Sequence, residues 1–176
     1  MNAEKVAKLL VELGALKMVP RSGWFKVGIK LPESVAEHSF RTAVIAYVLA
    51  RMDGIDAVKA GAIAFMALLH DSHEARTLDL HRVARRYAEV DEERARREQL
   101  EPLGIEDVLG ELKGVNVEDY VRDADRLELM LQAREYARLV DLPGEFSVRE
   151  EEMRTNAGRV LFRELSRVDL RWWREE

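Results

Sequence analysis

Ala60-Gly-Ala-Ile-Ala-Phe-Met-Ala-Leu-Leu69, followed at once by His70-Asp71, decides how this chain is read. Ten almost continuously apolar residues are too few to cross a bilayer, and the run shows no alternation of polar and apolar positions. It reads as a buried helix that ends on an imidazole and a carboxylate. A buried carboxylate requires a compensating cation, so the search moves outward from this pair to the other polar side chains that would meet it.

Upstream, Ser34-Val-Ala-Glu37 is a helix N-terminus in which the Ser34 hydroxyl and the Glu37 carboxylate each satisfy an orphan amide. This places His38 in the second turn. The stripe continues through Val44, Ile45, Val48 and Leu49 to about Arg51, and Asp56 caps the helix that ends at His70-Asp71. A first helix is expected from about Glu4 to Leu13, with Val6, Leu9, Leu10 and Leu13 on one face and Gly14 stopping it. Leu16 to Pro32 holds Pro20, Gly23, Gly28 and Pro32 and reads as a long ordered loop.

Beyond Leu80 the chain is more charged and broken by Pro102, Gly104, Gly110 and Gly114, which predicts short helices near Arg82–Ala88, Glu92–Leu100 and Glu106–Leu112. A long helix from about Val117 to Val140 carries Ala124, Leu127, Leu131 and Tyr136 at core spacing, with Asp125 beside that stripe, and Pro143-Gly144 ends it. A last helix near Val148 to Val168 leads to Trp172-Trp173, and this pair or a helix stripe would serve self-association. Sustained period-two alternation is missing. The expectation is an all-α chain with one domain over residues 1–176, a metal-site core at about 34–140 and a C-terminal helix at about 148–168.

Of the 176 residues 47% are apolar, enough for one substantial core. The net charge of −5 is spread over interspersed acids and bases, and Arg82, Arg85 and Arg86 are offset by Glu89, Asp91, Glu92 and Glu93. A nucleic-acid polymer, which calls for a basic face, is not an expected partner. The chain has no cysteine, hence neither disulfides nor a thiolate metal site. Its start, Met1-Asn-Ala-Glu-Lys-Val6, lacks the basic stretch and apolar core of a signal peptide, and no membrane partner is expected, so the cytoplasm is the expected compartment.

His38, His70, Asp71 and Asp125 together supply two imidazoles and two carboxylates from three helices. That mixed set suits a divalent transition metal and leaves positions open for water and substrate, as catalytic rather than structural sites do. Asp125 is preferred to Asp119 and Asp123 for its place in Ala124-Asp-Arg-Leu127. Taken singly, each residue has a plainer reading: His38 as a capped or core histidine, Arg21 as a cap or a partner of Glu33, Trp24 as packing, Glu74 as a solvated helix end. His73 and His81 read as solvent-facing or as supports, and Arg94, Arg96 and Arg97 as a solvated face.

The four-residue set resembles the metal signature of the HD-domain phosphohydrolases, an all-helical superfamily. More narrowly, Arg21-Ser-Gly-Trp24, Glu33-Ser-Val-Ala-Glu-His38, His70-Asp-Ser-His-Glu74, Asp79 and Ala124-Asp-Arg-Leu-Glu128 resemble the small 5'-deoxynucleotidases of that superfamily, over Leu16 to about Tyr136. One departure stands out: a small residue or glycine usually precedes the Asp79 position and proline often follows it, whereas this chain reads Leu78-Asp79-Leu80-His81. The resemblance implies hydrolysis of 2'-deoxynucleoside 5'-monophosphates to deoxynucleoside and phosphate, a homodimer, and one divalent ion (Mn, Co, Mg, Zn, Ni or Fe). With it, Glu74 is expected as general acid or base, Asp79 as orienting water or sugar, Arg21 as gripping phosphate and Trp24 as packing on sugar or base. A cyclic-nucleotide or alarmone hydrolase would use the same ligands. However, no histidine follows His81 for a second metal, and Glu74-Ala75 replaces the Glu-Asp of alarmone hydrolases. A non-catalytic, metal-bound nucleotide sensor is the remaining alternative.

Overall fold

In the computed structural model, which describes residues 1–171 and 173, the central packing unit is made of three helices far apart in sequence. They are α2 (Val35–Met52), α3 (Ala57–Leu68) and α7 (Val117–Tyr136). Around them lie α1 (Ala3–Leu13), α4 (Glu74–Thr77), α5 (Glu92–Leu100), α6 (Ile105–Glu111) and α8 (Asn156–Arg167). Among the described residues the only β pairing is an isolated antiparallel bridge, Pro20 with Ser34. The all-α expectation holds.

The N-terminus of α2 forms as the sequence dictates. The Ser34 hydroxyl accepts from the Glu37 amide at 3.2 Å and the Glu37 carboxylate accepts from the Ser34 amide at 2.6 Å. Asp56 caps α3 by accepting from Val58 and Lys59 at 3.0 Å. The core joins Ile45, Ala46, Leu49 and Ala50 of α2 to Ala60, Ile63 and Ala67 of α3 and to Ala124, Leu127 and Met130 of α7. Alanines at the contacts let the axes approach closely, since interaxial distance follows side-chain size.

Several boundaries differ from expectation. Gly14 keeps right-handed helical geometry, and the chain runs on in a 3-10 turn, Gly14–Lys17. The Leu16–Pro32 loop contains a further 3-10 segment, Ser22–Val27, and buries Leu16, Val19, Trp24 and Ile29. Residues 82–88 hold a single 3-10 turn, Ala84–Arg86, in place of a helix. α7 ends at Tyr136, with turns beyond it. α8 begins only at Asn156, because the Thr155 hydroxyl caps it by accepting from Gly158, and Asp123 ties down the preceding amides of Arg154 and Thr155. The apolar run at 60–69 is buried along one side only; Gly61 and Leu68 are exposed.

Candidate metal centre and cavity

α3 stops at Leu68, and His70 and Asp71 lie in the turns that follow rather than in the helix itself. Here bonds close to the third preceding residue: His70 to Ala67, Ser72 to Leu69, and Glu74 to Asp71. Three residues per turn align Asp71 with Glu74 on one side, and both line the same cavity.

His38 from α2, His70 and Asp71 from this turn and Asp125 from α7 converge. His38 Nε2 is 3.2 Å from Asp125 Oδ1, 3.4 Å from His70 Nε2 and 3.7 Å from Asp71 Oδ2. His70 Nε2 is 3.2 Å from Asp71 Oδ2 and 4.0 Å from Asp125 Oδ1. With metal bonds of about 2.0–2.2 Å, adjacent donors lie about 3 Å apart and opposite ones about 4 Å. The separations here are of the size expected between donors around one divalent ion, which these residues could hold. His38, His70 and Asp71 offer donors within ligand range of one another, and so do Glu33, His38 and Glu128. The second grouping is already occupied by hydrogen bonds, because Glu128 accepts from both His38 and Arg41.

Both imidazoles are held from behind. His38 Nδ1 donates to Glu128 Oε2 at 2.7 Å, and His70 Nδ1 donates to the Ala67 carbonyl at 2.6 Å. These bonds orient each ring so that Nε2 faces the shared centre, where it can serve as a metal donor once unprotonated. Glu128 is itself gripped by Arg41 at 2.8 and 3.0 Å, and Arg41 also bonds Gln132 and Glu135 one and two turns further along α7. On the other side Arg96 donates to the His70 carbonyl at 2.8 Å.

The centre opens into a cavity of about 530 Å³ lined by Arg21, Trp24, Asp79, Leu80, Leu129 and Phe146, among others. Arg21 bonds Asp71 at 3.0 Å and lies 3.8 Å from Asp125 and 4.0 Å from Asp79. Burial opposes its charge, but these carboxylates outweigh burial and hold the guanidinium firmly protonated. Burial likewise opposes charge on Asp71, yet His70 and Arg21 keep it below the usual carboxylate range. Glu74 behaves oppositely. It is 3% exposed, its Oε2 has no hydrogen-bond partner, and burial together with the charges of Asp71 and Asp79 pushes its pKa up to about 8. Asp79 is fixed by the Ser22 amide at 2.9 Å.

Trp24 is 2% exposed, stacked on Phe146 and edge-on to Tyr136, and its Nε1 donates to Glu33. It forms cavity wall and packing together. Arg21 bonds Glu33 through the backbone, its amide donating to the Glu33 carbonyl at 3.0 Å. His73 proves buried, with Arg96 and Glu92 around its ring, and Arg96 is an anchor rather than part of a solvated face. Asp123 serves the start of α8, and Asp119 pairs with Arg154, which leaves Asp125 as the α7 aspartate beside His38. Sequence reasoning passed over Arg41, quoted Glu128 only as the end of a motif, and read Arg96 only as part of a solvated face. Glu128 was findable, since it stands one turn beyond Asp125 on α7 and therefore on the same face.

A helical bundle with this cluster at its centre defines an HD domain, and the HD domain family model matches residues 13–167. The chain belongs to the HD-domain family and is a phosphohydrolase of that metal-dependent class. Human 5'-deoxynucleotidase HDDC2 is 33% identical over 161 residues, covering 81% of this chain and 74% of its own. The 5'-deoxynucleotidase hdd1 of Schizosaccharomyces pombe is 30% identical over 78% of this chain and 77% of its own. Within the family, then, the chain falls in the 5'-deoxynucleotidase branch. Among solved structures, the crystal structure of genomics APC5600 is 46% identical with a TM-score of 0.83, covering 97% of this chain and 99% of its own. Among the described residues no helix is long and apolar enough to cross a membrane.

Proposed function

We propose that the chain hydrolyses 2'-deoxynucleoside 5'-monophosphates to deoxynucleosides and phosphate, with one divalent ion held by His38, His70, Asp71 and Asp125. The observation that carries this reading is the convergence of His38, His70, Asp71 and Asp125, with His38 Nε2 3.2–3.7 Å from the donors of the other three, beside a cavity that presents Arg21, Glu74 and Asp79. An ion held there supplies Lewis acidity toward a phosphoryl oxygen and makes water a stronger acid.

The rest of the reaction falls to the protein. Arg21 has five N–H donors, of which one is spent on Asp71, and the remaining fork matches two phosphate oxygens. Glu74, protonated at neutral pH, carries a proton for the departing 5' oxygen. Asp79, pinned through Oδ2 by the Ser22 amide, keeps acceptor capacity to orient water or the sugar. Trp24 and Phe146 give the sugar or base an apolar wall. The substrate is a small nucleotide, and the resemblance extends the proposal to a homodimer working in the cytoplasm.

Phosphate release from 5'-deoxynucleotides, matched ribonucleotides, a 3'-nucleotide and a cyclic nucleotide tests this, using chelated protein re-supplied with manganese, cobalt, magnesium or zinc. Metal-dependent release from the 5'-deoxynucleotides is the expected outcome, and silence across the panel with metal bound would refute it. Asp71→Ala should lose metal and activity together. Glu74→Gln should keep the metal and lose about 10²-fold or more in rate.

A further inference from the structure

The outer face of α2 presents an apolar row to solvent. Phe40, Val44 and Val48 follow one another at i, i+4 and i+8, with Phe40 68% and Val44 50% exposed, and Tyr47 stands beside them. Leu31, almost fully exposed, lies next to Phe40 along the groove that also holds Pro32 and Glu37. A contiguous exposed apolar row of this kind marks a contact surface. His38 faces the opposite way, into the core, and no α2 residue lines the cavity.

The charges on this face identify what covers it. Glu37 and Arg51 are its exposed charged residues, one at each end, and each stands seven residues from Val44, roughly 10 Å along the axis. We infer that two copies of this chain pair through α2, antiparallel about a two-fold axis passing at Val44. That operator matches residues whose numbers sum to 88. Val44 then meets its own copy, Phe40 meets Val48, and Glu37 meets Arg51 at both ends. A two-fold contact must be self-complementary in this way, and a partner unrelated to the chain would impose no such symmetry on the positions of the two charges. The row Phe40-Val44-Val48 is also an i±4 ridge, the kind that interdigitates in the commonest helix-packing class. Capping does not remove Glu37 from this role, because it engages Ser34 through Oε2, and Arg51 uses one guanidinium nitrogen on the Ile55 carbonyl.

The inference rests on the homodimer reading given above and adds its surface. Because the chain has no native cysteine, Val44→Cys supplies a unique thiol on the axis. A mild oxidant should link it to its copy in most molecules, whereas Val58→Cys, exposed at the start of α3, should remain unlinked. By sedimentation, wild-type protein should show twice the monomer mass, Val44→Glu should halve it, and Arg51→Glu should raise the dissociation constant at least tenfold. Adding Glu37→Arg to Arg51→Glu should restore pairing. Wild-type protein that stays monomeric at high concentration would overturn the homodimer itself. A wild-type dimer that survives Val44→Glu and leaves Val44→Cys unlinked would overturn this surface and send the contact elsewhere, for instance to the C-terminal tryptophans. Neither outcome depends on phosphate release.

Discussion

Leu78 offers a test in which an ordinary rule of stability should reverse. It is the only non-glycine residue with positive φ among those described, at φ 61° and ψ 160°. In this region a Cβ collides with the backbone, at a cost of about 1–3 kcal/mol. The strain has a use, since it turns the chain out of α4 and delivers Asp79 to the Ser22 amide. Comparing Leu78→Ala with Leu78→Gly isolates it. Both variants lose whatever packing the side chain has, and that is limited, because Leu78 is 60% exposed. Alanine keeps the clash and glycine removes it. At an unstrained site glycine is the less stable of the two by roughly 0.5–1 kcal/mol, through its freedom in the unfolded chain. Setting about 2 kcal/mol of relieved strain against that, Leu78→Gly should exceed Leu78→Ala by about 1 kcal/mol. For a chain of this size that difference raises Tm by about 2–4 °C. Denaturant titration and thermal melts of the two variants side by side measure it. If alanine matched or exceeded glycine, the strain at Leu78 would be refuted.

Glu128→Ala should weaken metal binding 10–100-fold, as loss of a carboxylate behind a ligating histidine typically does, and calorimetric titration of the chelated protein with manganese or zinc reads it directly; unchanged affinity would sink the role given to the Glu128–His38 bond. Protonation should compete with the metal. Burial opposes charge on His38, but Asp125 and Glu128 overcome it and raise its pKa to about 9. A raised folded-state value means that the metal-free protein gains stability from His38 that is fully present below the ordinary histidine value of about 6.5 and is lost as pH rises toward 9. Metal affinity should climb over the same window, with proton release on binding, and a pH-independent affinity between 6 and 9 would contradict this.

Much of the architecture was legible because helices announce themselves through their ends. Ser34, Glu37 and Asp56 fix where α2 and α3 begin, and both N-termini lie on those residues. The ends that were misread are those decided by distant partners. α8 looked longer because residues 148–155 carry a helix-compatible mix of charged and apolar side chains. Only a 3-10 turn, Glu150–Glu152, forms there, and the amides of Arg154 and Thr155 go to Asp123, about thirty residues away on α7, a contact that no local pattern encodes. The stretch 82–88 lacks buried residues altogether, so helix propensity there had no packing to fix it. At the centre, residue types and order sufficed to nominate His38, His70, Asp71 and Asp125. Their supports were harder to see, because Arg96 looks like any charged residue on a solvated helix until α5 is laid against the turn at His70.

That difference has a physical basis. A donor set must present particular atoms, so its residue identities are visible in the sequence. What holds the donors is mostly backbone and shape. The Ala67 carbonyl that orients His70 could belong to any residue, and it is available only because α3 ends one residue later and the chain tightens into three-residue turns. That tightening puts Glu74 in line with Asp71, where burial first and then the charges of Asp71 and Asp79 raise its pKa. In a regular helix an i, i+3 pair shares a face with an offset of about 60°, so the three-residue turn brings Glu74 more squarely into line with Asp71. If the proposed centre holds its metal, the tightened turn after α3, as much as any residue identity, is what sets a buried acid beside it.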